Sequence, residues 1–193
     1  ANQCVTSMRT LWKRLESDGL ADRIWGIFLE NCNCGEWNLG MYAPDHSRVA
    51  VSAFRKYLSE KYRDDTAFQK SWHAPGASLR NARPPEHYIH GTTSLGSFSL
   101  SNRPQIDYIQ AEAQALSRQF LIIADAVRVI QKDLACGGFF PGISRPQSDC
   151  RRVYAAASTD FLATPIAYEN RNVGAAVNSQ SVFCDAFAAM GKV

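Results

Sequence analysis

The sequence predicts a parallel α/β fold. Three observations carry that expectation: short apolar runs that do not alternate, amphipathic helical segments between them, and polar stretches directly after the runs. Unbroken apolar runs suit strands buried on both faces of a parallel sheet, and helices alternating with strands supply the crossovers that such a sheet requires.

The first element is a helix, with Val5, Met8, Trp12 and Leu15 at helical spacing and Gly19 placed to end it. The run Ile24-Trp25-Gly26-Ile27-Phe28-Leu29 reads as a strand, followed by an irregular polar stretch from Glu30 to Ser47. A second helix is expected from Arg48 to Tyr62, with Ala50, Phe54, Tyr57 and Leu58 on one face and charged residues on the other. Residues 73–104, rich in Pro, Gly, Ser, Arg and His, read as a long connection.

The clearest element runs from Ile106 through Ile109, Ala113, Leu116, Phe120, Ile123, Val127 and Ile130 to Leu134, in alternating steps of three and four. Pro104 suits its start and Gly137 its end. The same pattern fits a coiled coil, but the flanking positions lack ordered charges, so a helix packed on a sheet is the reading adopted. Cys136 to Ile143 then reads as a strand opening into a loop, Asp149 to Ala157 as a helix, and Thr159 to Pro165 as a strand. A last helix is expected from Ser181 to Met190.

The net charge of +3 is small and the Arg and Lys residues are scattered, which gives no footprint for nucleic acid. No apolar run reaches the roughly 20 residues of a membrane helix. The six cysteines have neither paired C-x2-C spacing nor a fixed interval, so they read mainly as small buried hydrophobes. Cys32 with Cys34 has no second Cys/His pair nearby, and the i, i+3 spacing of His87 and His90 in a Pro-rich loop is weak for ligation, so no metal or cofactor is expected.

In parallel α/β folds the chemistry sits beyond the C-terminal ends of the strands. That points to Glu30–Trp37, Phe139–Ser144 and Tyr168–Arg171. Glu36 is the sharpest candidate, because a carboxyl beside the Trp37 indole is partly desolvated and its pKa is pushed towards that of a general acid. The bland alternative is a solvated loop carboxylate. Glu30 competes from the strand end itself, with a salt-bridging or capping role as its alternative, whereas Asp45 and Glu169 read as loop-capping or surface groups.

Several stretches taken together resemble a known family. They are Cys34-Gly35-Glu36-Trp37, Pro44-Asp45, Phe54-Arg55 through Leu58 to Lys61-Tyr62, and Ala67-Phe68-Gln69 to Trp72. Later come Gly138-Phe139-Phe140 and Asp160-Phe161-Leu162 through Pro165 and Tyr168 to Arg171. In their order and spacing these are similar to the β-galactosidase-like enzymes of glycoside hydrolase clan A, family 42 type. The resemblance implies a parallel (β/α)8 barrel of which residues 1–193 form one partial segment, about strands four to six with their helices. A complete barrel needs about 250 residues.

It further implies Glu36 as the acid/base at the end of strand four, Asn33 and Trp37 lining the sugar subsite, and Tyr168 and Arg171 near the nucleophile. Gly35 departs from the pattern, since many relatives have Asn before the acid/base. The family nucleophile lies on strand seven, which nothing in these residues matches, so the chain is expected to be cut at both ends and inactive alone. Its expected partners are a carbohydrate substrate and, through exposed sheet edges, itself or the missing barrel parts. The alternative is a non-catalytic carbohydrate-binding or scaffold protein on a degenerate barrel.

Overall fold

The computed structural model describes residues 2–31, 37, 43–87, 102–140, 150–163 and 189–191. The elements are α1 (Asn2–Ser17), β1 (Gly26–Leu29), α2 (Arg48–Tyr62), α3 (Asp65–Trp72), α4 (Arg103–Ile130), β2 (Ala135–Phe139), α5 (Cys150–Ala155) and β3 (Phe161–Ala163). A single 3-10 turn, Ala21–Arg23, links α1 to β1. The chain divides into two compact units, Ala1–Asn38 with Gln114–Val193, and Leu39–Ala113.

Among the described residues the first unit holds a three-stranded sheet in the order β1-β2-β3, with both pairs parallel. This is the parallel α/β arrangement that the apolar runs predict. Leu29 lies opposite Gly138 and Gly138 opposite Leu162, while Phe28, Gly137 and Phe161 form the neighbouring row on the other face. Alternation along each strand sends these two rows to opposite sides of the sheet.

On one side Gly138 admits two aromatic rings. A Cβ there would lie 2.8 Å from the Phe120 ring, 2.9 Å from the Leu29 carbonyl oxygen and 3.2 Å from Trp37 Cδ1. Phe120 belongs to α4 and is fully buried, so this side is the one that the helix covers. On the other side the Phe28 and Phe161 rings stack at 6.0 Å. A Cβ on Gly137 would overlap the Phe161 carbonyl oxygen and ring. Phe28 is 44% exposed, whereas Leu29 is 7% exposed. Burial of β1 on both faces, as its unbroken apolar run suggests, therefore holds on the helix side alone.

α1 ends as Gly19 predicts. Gly19 takes φ +67°, its N–H donates to the Glu16 carbonyl at 3.1 Å, and the Leu20 N–H donates to Leu15 at 2.8 Å. That pair of bonds is a Schellman cap, whose left-handed residue favours glycine.

α4 stops earlier than its periodicity suggests. The helix closes at Ile130, and Gly137, expected as its end, lies inside β2. Leu134 keeps the helical spacing only by sequence position; it is buried in the turn between the two elements. The reason lies in Arg128, whose Nη1 donates to the carbonyls of Lys132 at 2.8 Å and Leu134 at 2.7 Å, folding the chain back on the helix end. The same guanidinium pairs with Asp160, whose Oδ2 also accepts the Cys136 N–H at 2.7 Å. The Asp160 N–H in turn donates to the Cys136 carbonyl at 2.7 Å. Arg128 and Asp160 thus join the helix end to the entries of β2 and β3.

The second unit has its own core of Phe54, Leu58, Phe68, Leu79, Ala82, Tyr108 and Ile109. Each large apolar side chain buried there contributes about 2 kcal/mol. α2 occupies the range its pattern predicts and starts at Ser47, whose Oγ accepts the Ala50 N–H at 3.2 Å. α3 is a separate helix, capped by Asp64. No helix or strand occupies residues 73–87, and the rest of the expected connection, 88–101, lies outside the described residues, as do 181–188 of the expected last helix.

Against this core stands a fully buried carboxylate, Asp107. Its Oδ1 accepts Lys61 Nζ at 2.8 Å and pairs with Arg103 Nε at 3.1 Å. Its Oδ2 accepts the Tyr62 hydroxyl at 2.5 Å and the Trp72 indole N–H at 2.7 Å. Four donors offset the desolvation that would otherwise forbid a buried charge.

Two outcomes follow. Gly138→Ala should cost about 1–3 kcal/mol, because the Leu29 backbone cannot yield as a side chain would; the urea midpoint measures it. Asp107→Ala should cost about 3 kcal/mol by leaving buried donors unpaired. Asp107→Asn, which keeps an acceptor, should cost less in the same assay.

Candidate functional site

Parallel strands ending together define a rim, and the rim residues are where the chemistry of such folds is placed. Here the C-terminal ends are Leu29, Phe139 and Ala163. Trp37 is bound directly to this rim. Its backbone N–H donates to the Phe139 carbonyl at 2.7 Å, and its indole Nε1–H donates to the Leu29 carbonyl at 2.8 Å. The ring meets Phe120 edge-on at 5.2 Å and lies nearly parallel to Phe140 at 6.3 Å. Phe140 continues the rim, its N–H donating to the Ala163 carbonyl at 2.9 Å.

Trp37 is 2% exposed. A ring so enclosed, with its only donor used by a backbone carbonyl, offers no free face to a ligand. The geometry makes Trp37 a fixing point for the chain at the rim, where the sequence had suggested a subsite lining. Glu36, Asn33, Tyr168 and Arg171 lie outside the described residues, as do Cys32, Cys34 and Glu169. Glu30 is exposed, with no recorded ion pair among the described residues. Asp45 is the loop-capping group expected of it: its carboxylate accepts the Ser47 N–H at 2.7 Å and the Ser47 hydroxyl at 3.1 Å.

The motif residues beyond the rim have structural duties. Lys61, Tyr62 and Trp72 converge on Asp107, Phe54 and Phe68 fill the core of the second unit, and Asp160 holds the entries of β2 and β3. Asp107 escaped sequence reasoning. The signal was present, an acid between Ile106 and Tyr108 on an otherwise apolar helix stripe, but three of its four partners are 35 to 46 residues away. Asp160 acts at the N-terminal ends of the strands, where a conserved chemistry would not be sought and stability is set.

Burial also decides the thiol chemistry. Desolvation pushes the Cys136 thiol from 9.0 up to about 12, opposed by the positive charge of Arg128 and reinforced by Asp160 and Asp125. Cys4 is exposed, against the general expectation of buried cysteines, and Cys136 meets it. Among the described residues no group of three or more His, Cys, Asp or Glu is placed to hold a metal ion. No described helix is long and apolar enough to cross a membrane.

No family profile and no curated protein matches the sequence. Solved structures do resemble the fold. The catalytic domain of a β-amylase from Paenibacillus polymyxa aligns over 98% of this chain and 53% of its own, at 15% identity and a TM-score of 0.68. β-Galactosidases from Marinomonas ef1 and the haloarchaeon Halorubrum lacusprofundi align at TM-scores of 0.48 and 0.49, with 15% and 18% identity. They cover 62% and 74% of this chain but only 17% and 20% of their own. The chain thus spans about half of the β-amylase domain and a fifth or less of the β-galactosidases. The β-amylase likeness points to a barrel-like α/β fold, of which the described residues show three adjacent parallel strands.

The buried thiol has a measurable consequence. Its thiolate forms in the unfolded chain near pH 9 but in the folded chain only near pH 12, so its contribution to stability is complete below pH 9 and lost as pH rises towards 12. At pH 8, iodoacetamide labelling followed by peptide mass analysis should modify Cys4 within minutes and Cys136 only after unfolding.

Proposed function

We propose that this chain is part of the catalytic barrel of a retaining, β-galactosidase-like glycosidase, with Glu36 as its acid/base. The observation that carries the reading is the double anchoring of Trp37 on the Leu29 and Phe139 carbonyls. Glu36 is the residue directly before it in the sequence, in the stretch that follows β1. The motif order of the sequence and the β-amylase-like fold support the same reading.

In this mechanism Glu36 protonates the glycosidic oxygen as the bond breaks. A second carboxylate, about 5–5.5 Å away, attacks the anomeric carbon, and water later releases the sugar with Glu36 acting as base. The nucleophile belongs to a strand beyond this segment. Asn33, Tyr168 and Arg171 contact the sugar, while Trp37 positions Glu36. Carbohydrate is the substrate class, and the barrel's remaining strands are the partner that completes the site.

The test compares the 193-residue chain with a longer form of the protein that supplies further barrel strands. The chain alone should not turn over an aryl β-galactoside. The longer form should, and Glu36→Gln should lower its kcat by about 10²–10⁴. Undiminished turnover by the Glu36→Gln protein would remove the assignment. Sugar affinity unaffected by Glu36→Ala, with no activity in the longer form, would indicate a carbohydrate-binding scaffold.

A further inference from the structure

A second concavity lies in the unit formed by residues 39–113, with a chemistry unrelated to that of the rim. It measures about 380 Å³ and is lined by His46, Arg48, Val51, Ser52, Arg55 and Arg83. That volume lies within the range of small-molecule sites and leaves room for more than a lone inorganic ion. Arg48, Ser52 and Arg55 recur along α2 at spacings of four and three, which places them on one helix face. Arg83 reaches the same hollow from the segment after α3. That segment is fixed: Ala82 and Pro84 are buried on either side, and the Ala82 carbonyl accepts Arg55 Nε at 2.8 Å. This bond also orients the Arg55 guanidinium, leaving its two terminal amino groups to other partners.

The electrostatics are one-sided. Among the described residues no acid lines the hollow and no ion pair involves Arg48, Arg55 or Arg83. The carboxylate of Asp45, close by in sequence, is occupied by Ser47. Arg48 stands in the first turn of a 15-residue helix that has no acidic residue there, so its charge adds to the positive end of the helix dipole. Three guanidiniums held around one hollow repel each other unless an anion joins them, and guanidinium forks match tetrahedral oxyanions bidentately.

We infer that this hollow binds an organic oxyanion, a phosphate or sulfate monoester of a small molecule such as a sugar. The guanidiniums of Arg48, Arg55 and Arg83 take the ester oxygens, the Ser52 hydroxyl adds a donor, and the remaining volume accommodates the organic group. The inference is independent of Glu36 and of glycosidase activity.

Calorimetric titration of the 193-residue chain tests it, with glucose 6-phosphate, glucose 6-sulfate, inorganic phosphate and glucose as probes. At least one ester should bind saturably with a Kd below about 10 mM, more tightly than inorganic phosphate, and glucose should not bind. Arg48→Gln and Arg83→Gln alter exposed side chains and should each weaken ester binding tenfold or more with the circular dichroism spectrum unchanged. Arg9→Gln, which removes the same charge from an exposed site on α1, should leave it unaltered. Phosphate-only or sulfate-only preference identifies the ester class. Absence of saturable ester binding, equal binding of glucose, or an equal loss in Arg9→Gln overturns the proposal.

Discussion

Two adjacent glycines at the centre of β2 set how closely the rest of the first unit can approach the sheet. Gly137 faces the Phe28–Phe161 stack, and Gly138 faces Phe120, Trp37 and the Leu29 carbonyl. Because successive residues of a strand point to opposite faces, one missing side chain serves each side. The helix side gains a tight aromatic cluster, with Trp37, Phe120 and Phe140 all within about 6 Å of one another. That cluster seats Trp37, and Trp37 holds the chain at the rim. The seating of Trp37 thus depends on the absence of a Cβ at Gly138.

The second unit follows another logic. Its apolar core is conventional, but a charge stands at its edge, and the motif helices supply the groups that tolerate it. Lys61 also lies 5.4 Å and 5.7 Å from the centres of the Tyr57 and Tyr62 rings, so aromatic faces share its charge with Asp107. Burial, with the Asp107 charge adding to it and Arg103 opposing it, raises the Tyr57 hydroxyl to about 12, which keeps it a neutral donor to Gln110. These groups therefore serve the packing of the second unit itself.

Much of the fold was legible in the sequence because local rules governed it. α2 obeyed its hydrophobic face and its serine cap, and Gly19 ended α1 through its left-handed backbone. Where non-local interactions decided, periodicity misled. α4 kept its three-four rhythm beyond its true end, since the rhythm carries no trace of Arg128 reaching forward to the Lys132 and Leu134 carbonyls. The burial of Trp37 was hidden in the same way. An indole beside a carboxylate suggests a ligand surface, but Gly138, a hundred residues on, provides the space that buries it. Glu36 itself was singled out by position after a strand and lies outside the described residues.

The bonds around Asp160 have a meaning for how such a chain can vary. Side chain and backbone of this one residue hold β3 to β2 at the ends where the strands begin. A slip of register would break both attachments and strand the Arg128 charge. Alignment of β3 on β2 is therefore secured at the end opposite the rim, in addition to the bonds that Trp37 and Phe140 make at the rim itself. With register held there, residues at the rim end can change in composition while β2 and β3 stay in line. Such a division lets one scaffold acquire new specificities by altering loops, with the cost of each trial confined to the loop itself.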